Sequence, residues 1–132
     1  MDLKEEDLLK RNVKGIAKKL KETKVCILGL GGLGSNVAVL LARAGIGSLK
    51  LVDFDTVEAS NLNRQQYRIS HIGMKKTEAI KIIIKEINPF VEIEVLNKKI
   101  GEFNSEKKDR VADVTIWNIL DRIHFIYIVS IF

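Results

Sequence analysis

Apolar residues recur at two periods along this chain, and the switches between them mark its elements. Between residues 3 and 20 they fall at Leu8, Leu9, Val13, Ile16, Ala17 and Leu20 with charges between. That three-four spacing predicts an amphipathic helical lead-in, broken near Gly15. Residues 25–28, Val-Cys-Ile-Leu, are a continuous apolar run ending in glycines, the pattern of a strand buried on both faces of a parallel sheet. Helical spacing resumes through Leu33, Val37, Val39, Leu40, Leu41 and Ala44 and stops at Gly45 or Gly47. Residues 49–54 read as a second strand. Residues 55–72 are polar, irregular and rich in Asn, Gln and Arg, too long and too polar for a simple connector, so they are expected to carry function.

Ile80, Ile83, Ile84 and Ile87 place a helix over residues 75–88, which Pro89 stops. Residues 91–96 alternate Val, Ile and Val with Glu, as a strand near a sheet edge does. Residues 101–110 have room for a short helix, and 111–117 predict a fourth strand. The order β-α-β-loop-α-β-α-β implies a parallel sheet flanked by helices, since parallel neighbours require crossover connections.

Composition narrows the classes. A chain of 132 residues is expected to form one domain, and 46% apolar with 30% charged residues and one Pro is the composition of a folded protein. The net charge of +5 is spread along helical stretches that alternate with Glu, without interleaved aromatics, so nucleic acid is not the leading partner. The N-terminus lacks a secretory signal and no run approaches the length of a membrane span, which points to a cytoplasmic protein without a membrane partner. The single cysteine, Cys26, reads as a buried structural thiol. One Cys and two His, His71 and His124, are too few for an ordinary structural zinc site, so no metal is expected on protein side chains alone.

Gly29-Leu-Gly31-Gly32-Leu-Gly34 matches G-x-G-x-x-G between the first predicted strand and its helix. Gly29 permits the tight turn, Gly31 lets backbone approach phosphates, and Gly34 lets helix and sheet pack closely. Free N–H groups at the helix start then face an anion. Asp53, nineteen residues past Gly34, ends the second strand in position to accept hydrogen bonds from ribose hydroxyls. The expected fold is α/β: a Rossmann-like sheet, mainly parallel, with helices on both faces and incomplete at the C-terminus. The turn alone does not separate NAD from ATP.

The following segment favours ATP. Hydride transfer needs a flat apolar pocket, whereas residues 55–66 offer acids, amides and a cation. Arg64 is suited to clamp a triphosphate, Asn61 to bond ribose or phosphate oxygens, and Lys76 adds a compact second charge. Fixed cations of this kind stabilise the negative charge that grows during nucleotidyl transfer.

Gly29-Leu-Gly-Gly-Leu-Gly-Ser35, Asp53-Phe-Asp55, Ser60-Asn61-Leu-Asn-Arg64-Gln65, Gly73-Met-Lys-Lys76 and Asn88-Pro89 together resemble the ThiF/MoeB/E1 superfamily, ATP-dependent enzymes that adenylate ubiquitin-like proteins and sulfur carriers. The likeness runs from about residue 11 to 96, and residues 73–79 are most similar to short ThiF-type members without a zinc module. It implies that Gly29, Gly31, Gly32, Gly34, Asp53, Asp55, Asn61, Arg64, Gln65 and Lys76 form the nucleotide site, with Asp53 on ribose and Asn61, Arg64 and Lys76 on ribose and phosphates. Arg64, Lys76 and Arg11 would be the catalytic residues, Arg11 reaching into the partner subunit of a homodimer. The implied reaction is attack by the C-terminal carboxylate of a small ThiS/MoaD-type carrier on the α-phosphate of ATP. Mg²⁺ would be held mainly through the phosphates.

The C-terminal part departs from that pattern. The spacing from Asp113 to Asp121 is one residue longer than expected, which leaves Asp121 as the candidate Mg²⁺ ligand. Residues 1–132 are read as one partial nucleotide-binding domain, with a helical lead-in over 1–22 and an atypical tail over 118–132. The abrupt apolar ending suggests a truncated or frame-shifted product, with the carrier groove and any catalytic Cys downstream. The leading expectation is a sulfur-carrier adenylyltransferase, in thiamine or related biosynthesis. An NAD-dependent oxidoreductase and a nucleotide-binding remnant without turnover stay open as alternatives.

Overall fold

The computed structural model describes residues 2–98 and the backbone of a strand at 125–128. Two short helices open the chain, α1 (Glu5–Leu9) and α2 (Ile16–Glu22). Glu5, Glu6 and Asp7 in the first turn of α1 suit the positive end of its dipole, and Lys19 and Lys21 suit the negative end of α2. Gly15, at φ +86°, separates them at the break that the spacing predicts, in a conformation that only glycine adopts readily. The lead-in is seated on the next helix, α3 (Gly34–Ala44): Asn12 Nδ2 donates to the Ala44 carbonyl at 2.9 Å.

The sheet comprises β1 (Lys24–Leu28), β2 (Ser48–Val52), β3 (Glu92–Leu96) and β4 (Phe125–Ile128), in the order β3-β2-β1-β4 and parallel throughout. β1 is flanked by β2 on one side and β4 on the other, which is why it needs apolar residues on successive positions instead of alternation. β3 pairs only with β2 among the described strands, and its Glu92 and Glu94 are exposed while Ile93 and Val95 pack on the core. Lys50 Nζ meets Glu94 Oε1 at 2.9 Å, directly across the register.

Val25 and Ile27 of β1 and Leu49 and Leu51 of β2 share one core with Ala38, Val39 and Ala42 of α3. Ala79, Ile80, Ile83 and Ile84 of α4 (Lys76–Ile87) join the same core. Burying each of the larger aliphatic side chains contributes about 1.5–3 kcal/mol. Cys26 and Val52 lie in a second cluster with Leu28 and Leu96, formed by the alternate positions of the same strands. α3 and α4 therefore cover one face, as expected when β1, β2 and β3 advance in one direction through crossovers of one hand. Among the described residues the second cluster is built from strand residues alone, so the helices expected on that face are not among them.

The chain direction across the sheet reverses between β1 and β4. In open parallel sheets that reversal opens a crevice beyond the carboxyl ends of the strands, where ligands bind. The fourth described strand falls within the stretch read as an atypical tail. The strand expected over 111–117 lies outside the described residues.

Candidate functional site

The glycine turn leaves β1 at this crevice. Gly29 sits at φ +92°, and its N–H still donates to Val52 O at 2.8 Å, so the chain turns sharply at the last rung of the ladder. A Cβ on Gly34 would collide with the Gly29 carbonyl, so the start of α3 approaches the strand end as closely as glycine allows. Gly31 and Gly32 keep an open surface, faced at 3.9 Å by Gln65 Nε2 and at 3.7 Å by the aliphatic part of Arg64 for a Cβ added at each.

The four successive carbonyls of Leu30, Gly31, Gly32 and Leu33 are all occupied. Tyr67 Oη donates to Leu30 O at 2.6 Å. Ser35 donates twice to Gly31 O, from Oγ at 2.6 Å and from its N–H at 3.1 Å. Asn36 Nδ2 donates to Gly32 O at 2.5 Å, and Val37 N–H to Leu33 O at 2.9 Å. The N–H groups of Gly31, Gly32 and Leu33, in contrast, have no acceptor among the described residues. A trans peptide points its N–H opposite its carbonyl, so tying down one side aims the other. Donors left without acceptors at the positive end of an eleven-residue helix make a surface chemically suited to an anion.

Asp53 stands at the carboxyl end of β2, buried beside the turn. Its Oδ2 accepts from Leu30 N–H at 2.7 Å and its Oδ1 from Asp55 N–H at 2.8 Å, which leaves further acceptor capacity on both oxygens. The Leu30 residue is thus held on its N–H by Asp53 and on its carbonyl by Tyr67.

The loop after Asp53 is folded tightly in spite of its polarity. Val57 N–H donates to Met74 O at 2.8 Å, Gly73 N–H to Val57 O at 2.9 Å and Lys76 N–H to Asp55 O at 2.9 Å. This ladder brings exposed Asp55 against buried Lys76, at the first turn of α4. Among the described residues Lys76 has no carboxylate partner. A 3-10 helix over Ala59–Asn63 presents the rest. Asn61 is buried, its Oδ1 taking the Glu58 N–H at 2.8 Å. Arg64 is exposed, with Nη1 at 3.2 Å from Ser60 O and 3.0 Å from Asn63 Oδ1. Gln65 is buried, and its Oε1 is the one buried side-chain polar atom without a partner among the described residues.

The fold therefore brings together Gly29, Gly31, Gly32, Gly34, Asp53, Asp55, Asn61, Arg64, Gln65 and Lys76. Arg11 is elsewhere: it is exposed beside Asn12, which is bonded to the far end of α3, about 16 Å of helix rise from the turn. Asp121 lies outside the described residues. Among those residues no three His, Cys, Asp or Glu side chains gather as a metal group.

Sequence reasoning assigned no role to Asn36, Gln66 or Tyr67. Asn36 Oδ1 accepts from Gln66 Nε2 at 2.6 Å and Asn36 Nδ2 donates to Arg64 O at 3.0 Å, so this pair ties the glycine turn to the polar loop. The spacing of Ser35 and Asn36, each four residues after the carbonyl it bonds, is the only local signal. Nothing local marks Tyr67, whose partner is 37 residues away.

Cys26 is buried in the second cluster, and desolvation pushes its thiol up to about 11, opposed in part by Lys50. It is a structural residue, as its apolar setting suggests.

Comparison with known proteins adds to this geometry. The chain is 48% identical over 85 residues to the molybdopterin-synthase adenylyltransferase of Haemophilus influenzae, a match covering 64% of this chain and 35% of that protein. It is 47% identical over 76 residues to ubiquitin-like modifier-activating enzyme 5 of Arabidopsis thaliana, covering 58% of this chain and 18% of the relative. It thus spans about a third or less of the length of these curated relatives. The crystal structure of Escherichia coli MccB with ATP superposes with a TM-score of 0.65 at 38% identity, over 67% of this chain and 27% of that one. Residues 6–131 match the ThiF family profile, and with the glycine turn, the strand order and the loop motifs in place, the chain belongs to the ThiF family.

Proposed function

We propose that the protein is an ATP-dependent adenylyltransferase that activates the C-terminal carboxylate of a ubiquitin-like or sulfur carrier protein. The observation that carries this reading is the turn itself: the N–H groups of Gly31, Gly32 and Leu33 are without acceptors while the carbonyls beside them are tied down. Such a surface suits phosphate oxygens and offers little to a neutral ligand. The relatives named adenylyltransferase and modifier-activating enzyme, and the MccB complex with ATP, support the same chemistry.

In this reading ribose hydroxyls donate to the remaining acceptor sites of Asp53, and Asn61 contacts ribose or phosphate. The unpartnered Gln65 Oε1, buried beside Gly31, fits a donor such as a ribose hydroxyl. Lys76 and Arg64 face the triphosphate from the loop and the start of α4, and Asp55 orders Lys76 through its carbonyl. A carboxylate oxygen of the carrier attacks the α-phosphorus, the bond to the β-phosphate oxygen breaks, and pyrophosphate leaves with the negative charge. The backbone donors and the two cations stabilise that charge as it develops. Mg²⁺, bound mainly through the phosphates, would supply further neutralisation, with Asp121 as the candidate protein ligand.

Arg11, next to the Asn12 that is bonded at the far end of α3, is placed away from the turn, which supports a role in trans within a homodimer. The expected carrier is of the ThiS/MoaD type, in thiamine or related sulfur metabolism, and the expected setting is cytoplasmic. No helix among the described residues is long and apolar enough to cross a membrane.

Two measurements test this reading. ATP with Mg²⁺ should raise the melting temperature, and pyrophosphate should exchange into ATP only when a carrier ending in Gly-Gly is present. Stabilisation by NADH with no response to ATP would replace this reading by a dinucleotide-dependent one. A well-folded sample that binds ATP without exchange would leave a nucleotide-binding unit without turnover.

A further inference from the structure

We infer that Tyr67 is a positioning residue for the nucleotide phosphates, acting through the Leu30–Gly31 peptide. This rests on the reading of the glycine turn as a phosphate site. The Leu30 carbonyl and the Gly31 N–H belong to one planar trans peptide and point in opposite directions. Tyr67 Oη holds that carbonyl at 2.6 Å from inside the core, where the ring is 4% exposed, so the Gly31 N–H is turned outward to the crevice. The preceding peptide is fixed separately, by Asp53 Oδ2 on the Leu30 N–H at 2.7 Å. Between two glycines, Leu30 needs both anchors, because glycine neighbours leave the peptide planes free to rotate.

The other two donors are aimed by residues within the helix start: Ser35 through Gly31 O and Asn36 through Gly32 O. Only the Gly31 donor is set by a loop side chain bonded directly to its peptide; Ser35 and Asn36 receive the Gln66 N–H and the Gln66 side chain, so the loop reaches the other two donors one bond further away. Tyr67 therefore links the folding of that loop, which carries Asn61, Arg64 and Gln65, to the readiness of the turn. Burial, with the nearby Asp53 charge adding to it, pushes the Tyr67 phenol well above its usual range, so it remains a donor at neutral pH.

The test compares the full chain with its Tyr67→Phe variant, by calorimetric titration with ATP·Mg²⁺ and with adenosine, and by following the Gly31 amide in ¹⁵N NMR spectra. Removing only the hydroxyl should weaken ATP about tenfold, the effect of losing one well-placed hydrogen bond. Adenosine, which has no phosphate, should bind both proteins alike. The Gly31 amide should move downfield with ATP in the wild type and much less in the variant. Equal ATP binding by the two proteins, or equal loss of ATP and adenosine, would overturn the inference and leave the phosphate site standing. A wild-type protein that binds no ATP would instead remove the underlying reading, and the inference with it. A measurement without any variant is also decisive: the Gly31 amide should exchange rapidly in the free protein and become protected with ATP. Protection in the free protein would show the N–H turned inward and defeat the proposal.

Discussion

Leu30 N–H lies 2.7 Å from Asp53 Oδ2, joining the turn after β1 to the end of β2 across 23 residues. The carboxylate of Asp53 is buried and also accepts the Asp55 N–H at 2.8 Å, so it shapes both loops that border the crevice. Asp53→Asn keeps the size but sets an amide donor against one of two backbone donors. It should cost about 1.5–3 kcal/mol of stability, the range for a hydrogen bond to a charged group, and should remove nucleotide-induced stabilisation. Urea unfolding with and without ATP·Mg²⁺ measures both, and a variant as stable and as responsive as wild type would contradict the role.

Gly34→Ala should be among the most damaging single methyl additions in the described part of the chain. The added Cβ would fall on the Gly29 carbonyl, which belongs to backbone and cannot swing aside. The helix must tilt away from β1, at a cost of roughly 3 kcal/mol or more. Thermal unfolding should show a fall of more than about 10 °C for a domain of this size. A smaller fall would mean that α3 has more freedom than its packing implies.

Arg64→Ala should separate activity from stability. The guanidinium is exposed and its partners, Ser60 O and Asn63 Oδ1, are both within four residues, so the fold loses little, within about 0.5 kcal/mol. Carrier-dependent pyrophosphate exchange should fall by about 100-fold or more, as for removal of a group that stabilises transition-state charge. Near-normal exchange in this variant would refute the part assigned to Arg64.

Cys26 makes a pH-dependent contribution whose sign follows from its burial. Its thiol is raised from 9.0 to about 11 in the folded chain, so folding favours the protonated form. That contribution is complete below about pH 9 and is lost as pH rises toward about 11, because the unfolded chain can then ionise and the folded chain resists. Cys26→Ala should flatten the decline of stability over that window, measured by denaturant unfolding at pH 8, 9 and 10. The native thiol should also react slowly with thiol reagents at neutral pH until the chain unfolds.

The hydrophobic period was sufficient to place β1, α3, β2, α4 and β3, because each of these elements buries a local stripe whose spacing is independent of its neighbours. The glycine turn and Asp53 were legible for the same reason, since strand end, turn and helix start are contiguous in the chain. β4 was not legible: several apolar runs follow β3, and the choice of 125–128 to lie beside β1 depends on which of them reaches the open edge of the sheet in register.

Sequence by itself determined that a helix begins where a buried strand ends, and that backbone N–H groups would be left over there. Only the tertiary structure decided which way those groups point. Their direction is set by hydrogen bonds on the opposite side of each peptide, and the one on Leu30 O comes from Tyr67, 37 residues along the chain. No local pattern encodes such a bond, because it exists only once the polar loop has folded back over the turn.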